Sequence, residues 1–386
     1  MASAGASWIE VSAAALRGNV DTFREVLRGA DVGLGVVLKA DAYGHGLSLV
    51  YEALAGRVDR VHVIEPADAL AIRALEEERG LARTPVLVLG VVGPEEAVAL
   101  ARAGCAAVVG DEGARAWGPA LRAAEVQLSV HVHVDSGLSR EGWPAESLGD
   151  VAAWVGAEPS FRWEGLLTHF ADTEDVTDQT FARRQLDAFA EAVGVCEAVA
   201  GRRLLRHAAA SAAALVLADS RLDEVRVGIS LYGVWASDLT RLSAAALFPE
   251  PPRLKPALTW RVRPQLVKWL PAGAYVGYGC THRCRDATRI AVLPVGYFDG
   301  YPRALSGKAH VLIGGRRCPV LGRVMMNHVI VDVTGVQADG PWVATLLGVD
   351  GEEEVNADRL AAWASTIAYE VVARLGAHLP RHRVDP

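Results

Sequence analysis

Lys39 ends the apolar run Val36-Val37-Leu38, and Ala40-Asp41-Ala42-Tyr43-Gly44-His45-Gly46 follows it. A lysine that leaves a buried strand in this way enters a desolvated site, where its pKa falls and its amine becomes nucleophilic. Schiff-base chemistry requires such an amine; the plainer reading is a strand-end lysine that snorkels to solvent. Further polar groups recur after other apolar runs. Asp135 and Arg140 stand in His131-Val132-His133-Val134-Asp135-Ser136-Gly137-Leu138-Ser139-Arg140, and His169 in Leu167-Thr168-His169-Phe170. Ser211 closes His207-Ala208-Ala209-Ala210-Ser211, and Arg226 opens Arg226-Val227-Gly228-Ile229. Taken singly, each is as readily a satisfied structural group.

Their common feature is position. Short β-rich runs at 36–39, 61–64, 86–89, 107–109, 129–134, 165–168, 204–207 and 225–228 alternate with alanine- and leucine-rich helical stretches such as 68–79 and 181–200. This alternation predicts an α/β fold, a parallel (β/α)8 TIM-type barrel, with an open doubly wound sheet as the alternative. In such a barrel, active sites form at the C-terminal strand ends and phosphates bind after strands seven and eight. Lys39 ends strand one, Asp135 and Arg140 follow strand five, His169 follows six, Ser211 follows seven, and Arg226 lies on eight.

After about Tyr232 the pattern changes. Residues 247–257 (LFPEPPRLKPA) are proline-rich and read as a linker. Beyond them, β-rich runs at 260–268, 290–295, 311–313, 320–324 and 329–333 are separated by glycine turns, with helical pieces near 358–364 and 369–375. The expected division is a barrel over 1–245 and a mostly β domain over 246–386. Tyr278 stands between glycines in Val276-Gly277-Tyr278-Gly279. Tyr297 and Arg303 share the loop Gly296-Tyr297-Phe298-Asp299-Gly300-Tyr301-Pro302-Arg303. Arg323 and Met326 share Gly322-Arg323-Val324-Met325-Met326-Asn327, and Tyr369 lies in Ala368-Tyr369-Glu370-Val371.

Composition narrows the class. At 386 residues, 51% of them hydrophobic, the chain is long enough for two domains with large cores. A net charge of -7 without a basic block points away from nucleic acid and membrane surfaces as partners. Five scattered cysteines fit a reducing, cytoplasmic compartment rather than a disulfide framework. Cys280-x-His282-x-Cys284 is too tightly spaced for a standard zinc knuckle, so no metal is expected. Neither a signal peptide nor a run of transmembrane length is evident.

In this order, these segments resemble the bacterial alanine racemase family, from about Trp8 to Arg381. The resemblance implies a barrel that binds pyridoxal 5'-phosphate (PLP), a C-terminal β domain, and a head-to-tail homodimer with shared active sites. By matching motif, Lys39 would hold PLP covalently and Tyr278 of the partner subunit would face it. The two would act as opposed general bases on the α-proton of an amino acid. Arg226 would meet the pyridine nitrogen and, because arginine keeps its proton, leave that nitrogen unprotonated. Tyr43, Ser211, Tyr369 and the amides of Gly228 and Ile229 would hold the phosphate. His169 would join the network of Arg226 and Tyr278. Arg140 would lie near the cofactor's phenolic oxygen and the substrate carboxylate, to which Met326 of the partner subunit would offer its amide. Tyr297, Arg303 and Arg323 would line the entry passage.

The implied reaction is the interconversion of L- and D-alanine. The alternative is a related PLP enzyme acting on another amino acid by racemisation, decarboxylation or retro-aldol cleavage. A PLP carrier without activity is a third reading, against which the β domain and Tyr278 both speak. Three positions depart from the family pattern. His133 stands where a lysine, often carbamylated, is usual; Ala210 replaces an asparagine, and Asn327 an aspartate. Two expectations follow for the first: His133 accepts a hydrogen bond from Arg140, or a small anion such as chloride replaces the carbamate.

Overall fold

The computed structural model describes residues 5–337 and 342–385. It resolves into two units. One comprises Arg17–Lys39 and Val50–Leu254; the other comprises the described residues of Met1–Leu16, Ala40–Leu49 and Lys255–Pro386.

In the first unit, Gly33–Val37, Arg60–Val63, Val86–Val88, Ala106–Val109, Leu128–His133, Phe161–Leu167 and Leu205–His207 pair in parallel in chain order, and Glu224–Val227 pairs back onto the first. Strands seven and eight approach each other through Asp223 N to Arg206 O, 3.0 Å, and Arg226 N to Ala209 O, 2.8 Å. The sheet is therefore a nearly closed barrel and not an open doubly wound sheet. Parallel strands covered on both faces need unbroken apolar runs, and Leu128–His133 is buried at every residue. The helix Pro66–Arg79 starts at a proline whose missing N–H would be unpaired there in any case, and it stops at Gly80, φ 63°. Thr180–Ala200 stops in the same way at Gly201. One feature of the interior is unusual. His62, His131, His207, Glu224 and Arg226 are buried in a barrel, where branched apolar residues ordinarily fill the layers.

The second unit is mostly β. Its larger sheet runs Arg316–Pro319, His310–Ile313, Ala344–Asp350, Leu258–Val262, Ser7–Val11, Arg381–Arg383. A three-stranded sheet of Leu266–Leu270, Thr288–Leu293 and Val329–Asp332 lies beside a small core of Val276, Cys284, Ile290 and Leu321. The run expected at 260–268 is two strands in different sheets, Leu258–Val262 and Leu266–Leu270. Pro264 separates them because it has no N–H for a ladder. No strand forms over 320–324. Arg316–Pro319 is the strand, Val320 makes only an isolated bridge to Val331, and Gly322 turns at φ 67°. Residues 248–257 carry no helix or strand, in keeping with a proline-rich linker.

Candidate active site

At the barrel rim, Leu38 N bonds His62 O at 2.8 Å and holds the strand to its last residue before Lys39. Lys39 is half-buried. Burial lowers its pKa, the Arg140 guanidinium lowers it further, and Glu141 opposes both. The amine is thus poised toward its neutral, nucleophilic form. His169 responds to the same groups. Burial first, then Arg226, Arg140 and Lys39, push its pKa down to about 3, so it is neutral.

Arg226 is buried and makes a dense set of bonds. Its Nη1 donates to His207 O at 2.6 Å and to His207 Nδ1 at 2.9 Å. Its Nη2 lies 2.7 Å from Thr168 O, 3.1 Å from Ala208 O and 3.4 Å from His169 Nδ1. The N–H groups of both terminal nitrogens are engaged in this way, and Nε–H remains. Desolvation lowers the pKa of this cation to about 10, with Glu224 opposing, and it stays charged. Nearby, Ser211 Oγ accepts from Gly228 N at 2.9 Å and Ser230 N at 3.4 Å, while Ser230 Oγ is buried without a partner. The amide of Ile229 lies between them in the chain.

Arg140 rides on a loop organised by Asp135, whose Oδ1 accepts from Gly137 N and Ser139 N at 2.9 and 3.0 Å. The expected bond from Arg140 to His133 does not form. Instead, the Arg140 guanidinium, 58% exposed, lies 3.6 Å from Glu141. His133 is buried; desolvation and the positive charges of Arg226 and Arg140 hold its pKa at about 4. As a neutral ring it cannot reproduce the anionic pull of a carbamate. A cavity of about 260 Å³ opens beside these residues, lined by His133, Arg140, Glu141, Asp111, Trp117 and apolar neighbours. Ala210 precedes the short helix Ser211–Val216 and offers no side-chain cap.

The remaining expected residues lie in the mostly β unit, in two groups. Ala40, Asp41, Ala42 and Tyr43 form a left-handed helical turn, with φ between 52° and 55°. Non-glycine residues pay about 1–2 kcal/mol each for this hand, so the turn must be held from outside. Gly44 N bonds Ala40 O and Gly46 N bonds Asp41 O, both at 2.9 Å. Arg381 Nε donates to Gly44 O at 3.0 Å. A Cβ at Gly44 would fall 2.1 Å from Val372 O. The turn delivers Tyr43 to Tyr369, ring centroids 6.2 Å apart, and burial with Tyr369 raises the Tyr43 hydroxyl pKa.

In the second group, Tyr278 is 71% exposed on a turn between Gly277, φ 72°, and Gly279, φ 75°. It lines an open groove of about 510 Å³ with Tyr297, Arg303, Arg323, Met326 and Asn327. Tyr297 N bonds Met325 O at 3.1 Å and Phe298 N bonds Met326 O at 3.0 Å, which ties the two loops together. The histidines behind Arg226 and the left-handed turn were absent from the expected set. Alternating His131-Val132-His133 was the one visible hint of inward imidazoles.

Comparison with known proteins agrees along the whole chain. Residues 11–235 match the family model "Alanine racemase, N-terminal domain" and 257–383 match "Alanine racemase, C-terminal domain". The alanine racemase of Leptospira interrogans serovar copenhageni is 34% identical over 384 residues, 98% of this chain and 96% of that protein. That of Symbiobacterium thermophilum is 36% identical, covering 97% of this chain and 96% of its own length. The solved structure of alanine racemase from Clostridium difficile 630 superposes with a TM-score of 0.88 at 27% identity, over 98% of this chain and 96% of that one.

Proposed function

The chain belongs to the alanine racemase family, and on that premise we propose that it interconverts L- and D-alanine with pyridoxal 5'-phosphate held on Lys39. The donor set fits this cofactor. Ser211 Oγ, the Gly228 and Ser230 amides that donate to it and the orphaned Ser230 Oγ are neighbouring polar groups of the kind a phosphate would engage. The observation that carries most weight is Arg226. With both terminal nitrogens engaged by the protein, its Nε–H is the donor that remains, and an arginine donor suits an unprotonated pyridine nitrogen. Bound there, PLP supplies a sink for the negative charge left at the α-carbon, a moderate one when its pyridine nitrogen is unprotonated, which disfavours side reactions.

The chain's own residues do the proton work. Lys39 Nζ, kept toward its neutral form by burial and Arg140, removes the α-proton on one face. Tyr278 of the partner subunit moves a proton at its phenolic oxygen on the other face. Return of the proton from the face opposite its removal inverts the centre. Arg140, with the amide of the partner subunit's Met326, orients the substrate carboxylate. Tyr43 and Tyr369 would add phosphate contacts, and His169, 3.4 Å from Arg226 Nη2, would buttress Arg226. The exposure of Tyr278 in an open groove supports an assembly in which a second copy covers it, a homodimer with shared sites. A cytoplasmic location is supported by five free thiols, Cys105, Cys196, Cys280, Cys284 and Cys318.

The test is α-proton exchange in deuterated water with PLP-loaded enzyme and either enantiomer of alanine. Both should converge on racemic alanine deuterated at the α-carbon. Absence of exchange with alanine, or turnover of another amino acid alone, would contradict the assignment.

A further inference from the structure

Behind Arg226, the barrel holds imidazoles that the reaction does not use. His207 Nε2 lies 2.9 Å from His131 Nδ1, and His207 Nδ1 lies 2.9 Å from Arg226 Nη1. Arginine only donates, so His207 Nδ1 is the acceptor and its proton sits on Nε2. That proton points at His131 Nδ1, which therefore accepts and keeps its own proton on Nε2. His131 Nε2 makes no hydrogen bond; the acceptor nearest in this direction is Glu164 Oε2, 3.8 Å away. Ser129 Oγ, at 3.0 Å, and Arg162 Nη2, at 2.8 Å, hold the other oxygen of Glu164. His62 stands 5.8 Å from His207 but turns aside, its Nε2 3.0 Å from Glu224 Oε1. Arg60 takes the second Glu224 oxygen at 3.0 Å.

The strands are built to admit these rings. A Cβ at Gly165 would lie 2.6 Å from His131 Nδ1, and one at Gly35 would lie 2.5 Å from His62 Nε2. Glycine weakens a strand interior and marks a close approach; here an imidazole approaches at both positions, together with the neighbouring strand's carbonyl, Leu205 O at Gly165 and Val225 O at Gly35.

We propose that His207 and His131 are positioning residues for Arg226, a directed relay in which His207 donates to His131 and both Nε2–H groups face away from the guanidinium, that of His131 on the side of Glu164. The relay fixes His207 Nδ1 as an acceptor, locks the guanidinium plane and leaves Nε–H for the cofactor. It rests on the reading of Arg226 given above. A merely space-filling pair would be indifferent to tautomer.

The decisive measurement is long-range proton–nitrogen NMR of 15N-labelled holoenzyme. His207 and His131 should both appear as neutral Nε2–H tautomers. Either ring protonated at Nδ1 overturns the relay, whatever the activity. His131→Phe removes the acceptor. It should release the His207 tautomer, shift the 15N signal of the labelled pyridine nitrogen, and lower kcat about tenfold or more with KM little changed. His131→Asn, whose Oδ1 can accept in place of Nδ1, should restore all three. A folded His131→Phe enzyme with unchanged pyridine signal and kcat would overturn the proposal. Because the tautomers are read in the unmodified enzyme, they also decide if His131→Phe fails to fold. Failure of alanine exchange in the wild type, with the tautomers as expected, would instead count against the function.

Discussion

In the barrel Lys39, His169 and Arg226 are at least half-buried and mutually tuned, whereas in the mostly β unit Tyr278 stands on an exposed turn. Arg226 sits at 4% exposure among protein acceptors, and Tyr278 sits at 71% in an open groove. Burial is what lowers the proton affinity of Lys39, His133 and His169. A single copy of the barrel therefore sets its own protonation states. The tyrosine turn is open to solvent within its unit, and in the proposed assembly a second copy would cover it.

Substitutions at Lys39 and at Tyr278 should therefore differ in effect. Lys39→Ala should remove the nucleophile and one base together, and racemisation should fall by about 10⁴-fold. Residual exchange near the wild-type rate would show that the buried amine is not the base. Tyr278→Phe should cost less, about 10²- to 10³-fold, with wash-out of the α-proton from one enantiomer outlasting inversion. Equal loss of wash-out and inversion would argue against opposed bases.

Stability offers two finer tests. Gly44 and Gly80 both have positive φ, at 78° and 63°, but a Cβ meets Val372 O at 2.1 Å in the first and nothing within 4 Å in the second. Gly44→Ala should lose about 2–3 kcal/mol and Gly80→Ala about 1 kcal/mol, read as urea midpoints; equal losses would mean the left-handed turn is not held as described. Acid should weaken the fold in a set direction. His62, His133 and His45 have folded pKa values of about 4, below the ordinary 6.5. Between those limits the unfolded chain binds protons that the fold refuses, so stability falls as pH drops from 6.5 toward 4. A urea midpoint flat across that window would contradict the burial of these rings as neutral groups.

Much of this arrangement was legible in the sequence. Parallel barrel strands need continuous apolar runs, and polar residues ending such runs, as at Lys39 and His169, stand out against them. The long-range pairings of the β unit were not legible. Ser7–Val11 lies far in sequence from its partners Leu258–Val262 and Arg381–Arg383, so no local pattern announces it. Pro264 was readable as a strand break but was absorbed into one long run. The left-handed turn lay hidden because alanine, aspartate and tyrosine carry no signal for positive φ; its cause is the distant clamp of Val372 and Arg381. The histidine relay was hidden for a similar reason. His131 and His207 are separated by 76 residues, and only the pairing of both their strands with Phe161–Leu167 sets their rings side by side.

In the proposed mechanism the half-buried lysine of one copy works with the exposed tyrosine of another. Mixing inactive Lys39→Ala and Tyr278→Phe proteins, unfolding and refolding them together with PLP, tests it directly. A mixed dimer has one site with both residues intact, so alanine racemisation should return to a substantial fraction of wild type. No recovery, with mixed dimers demonstrated by mass, would contradict shared sites and return both bases to a single chain.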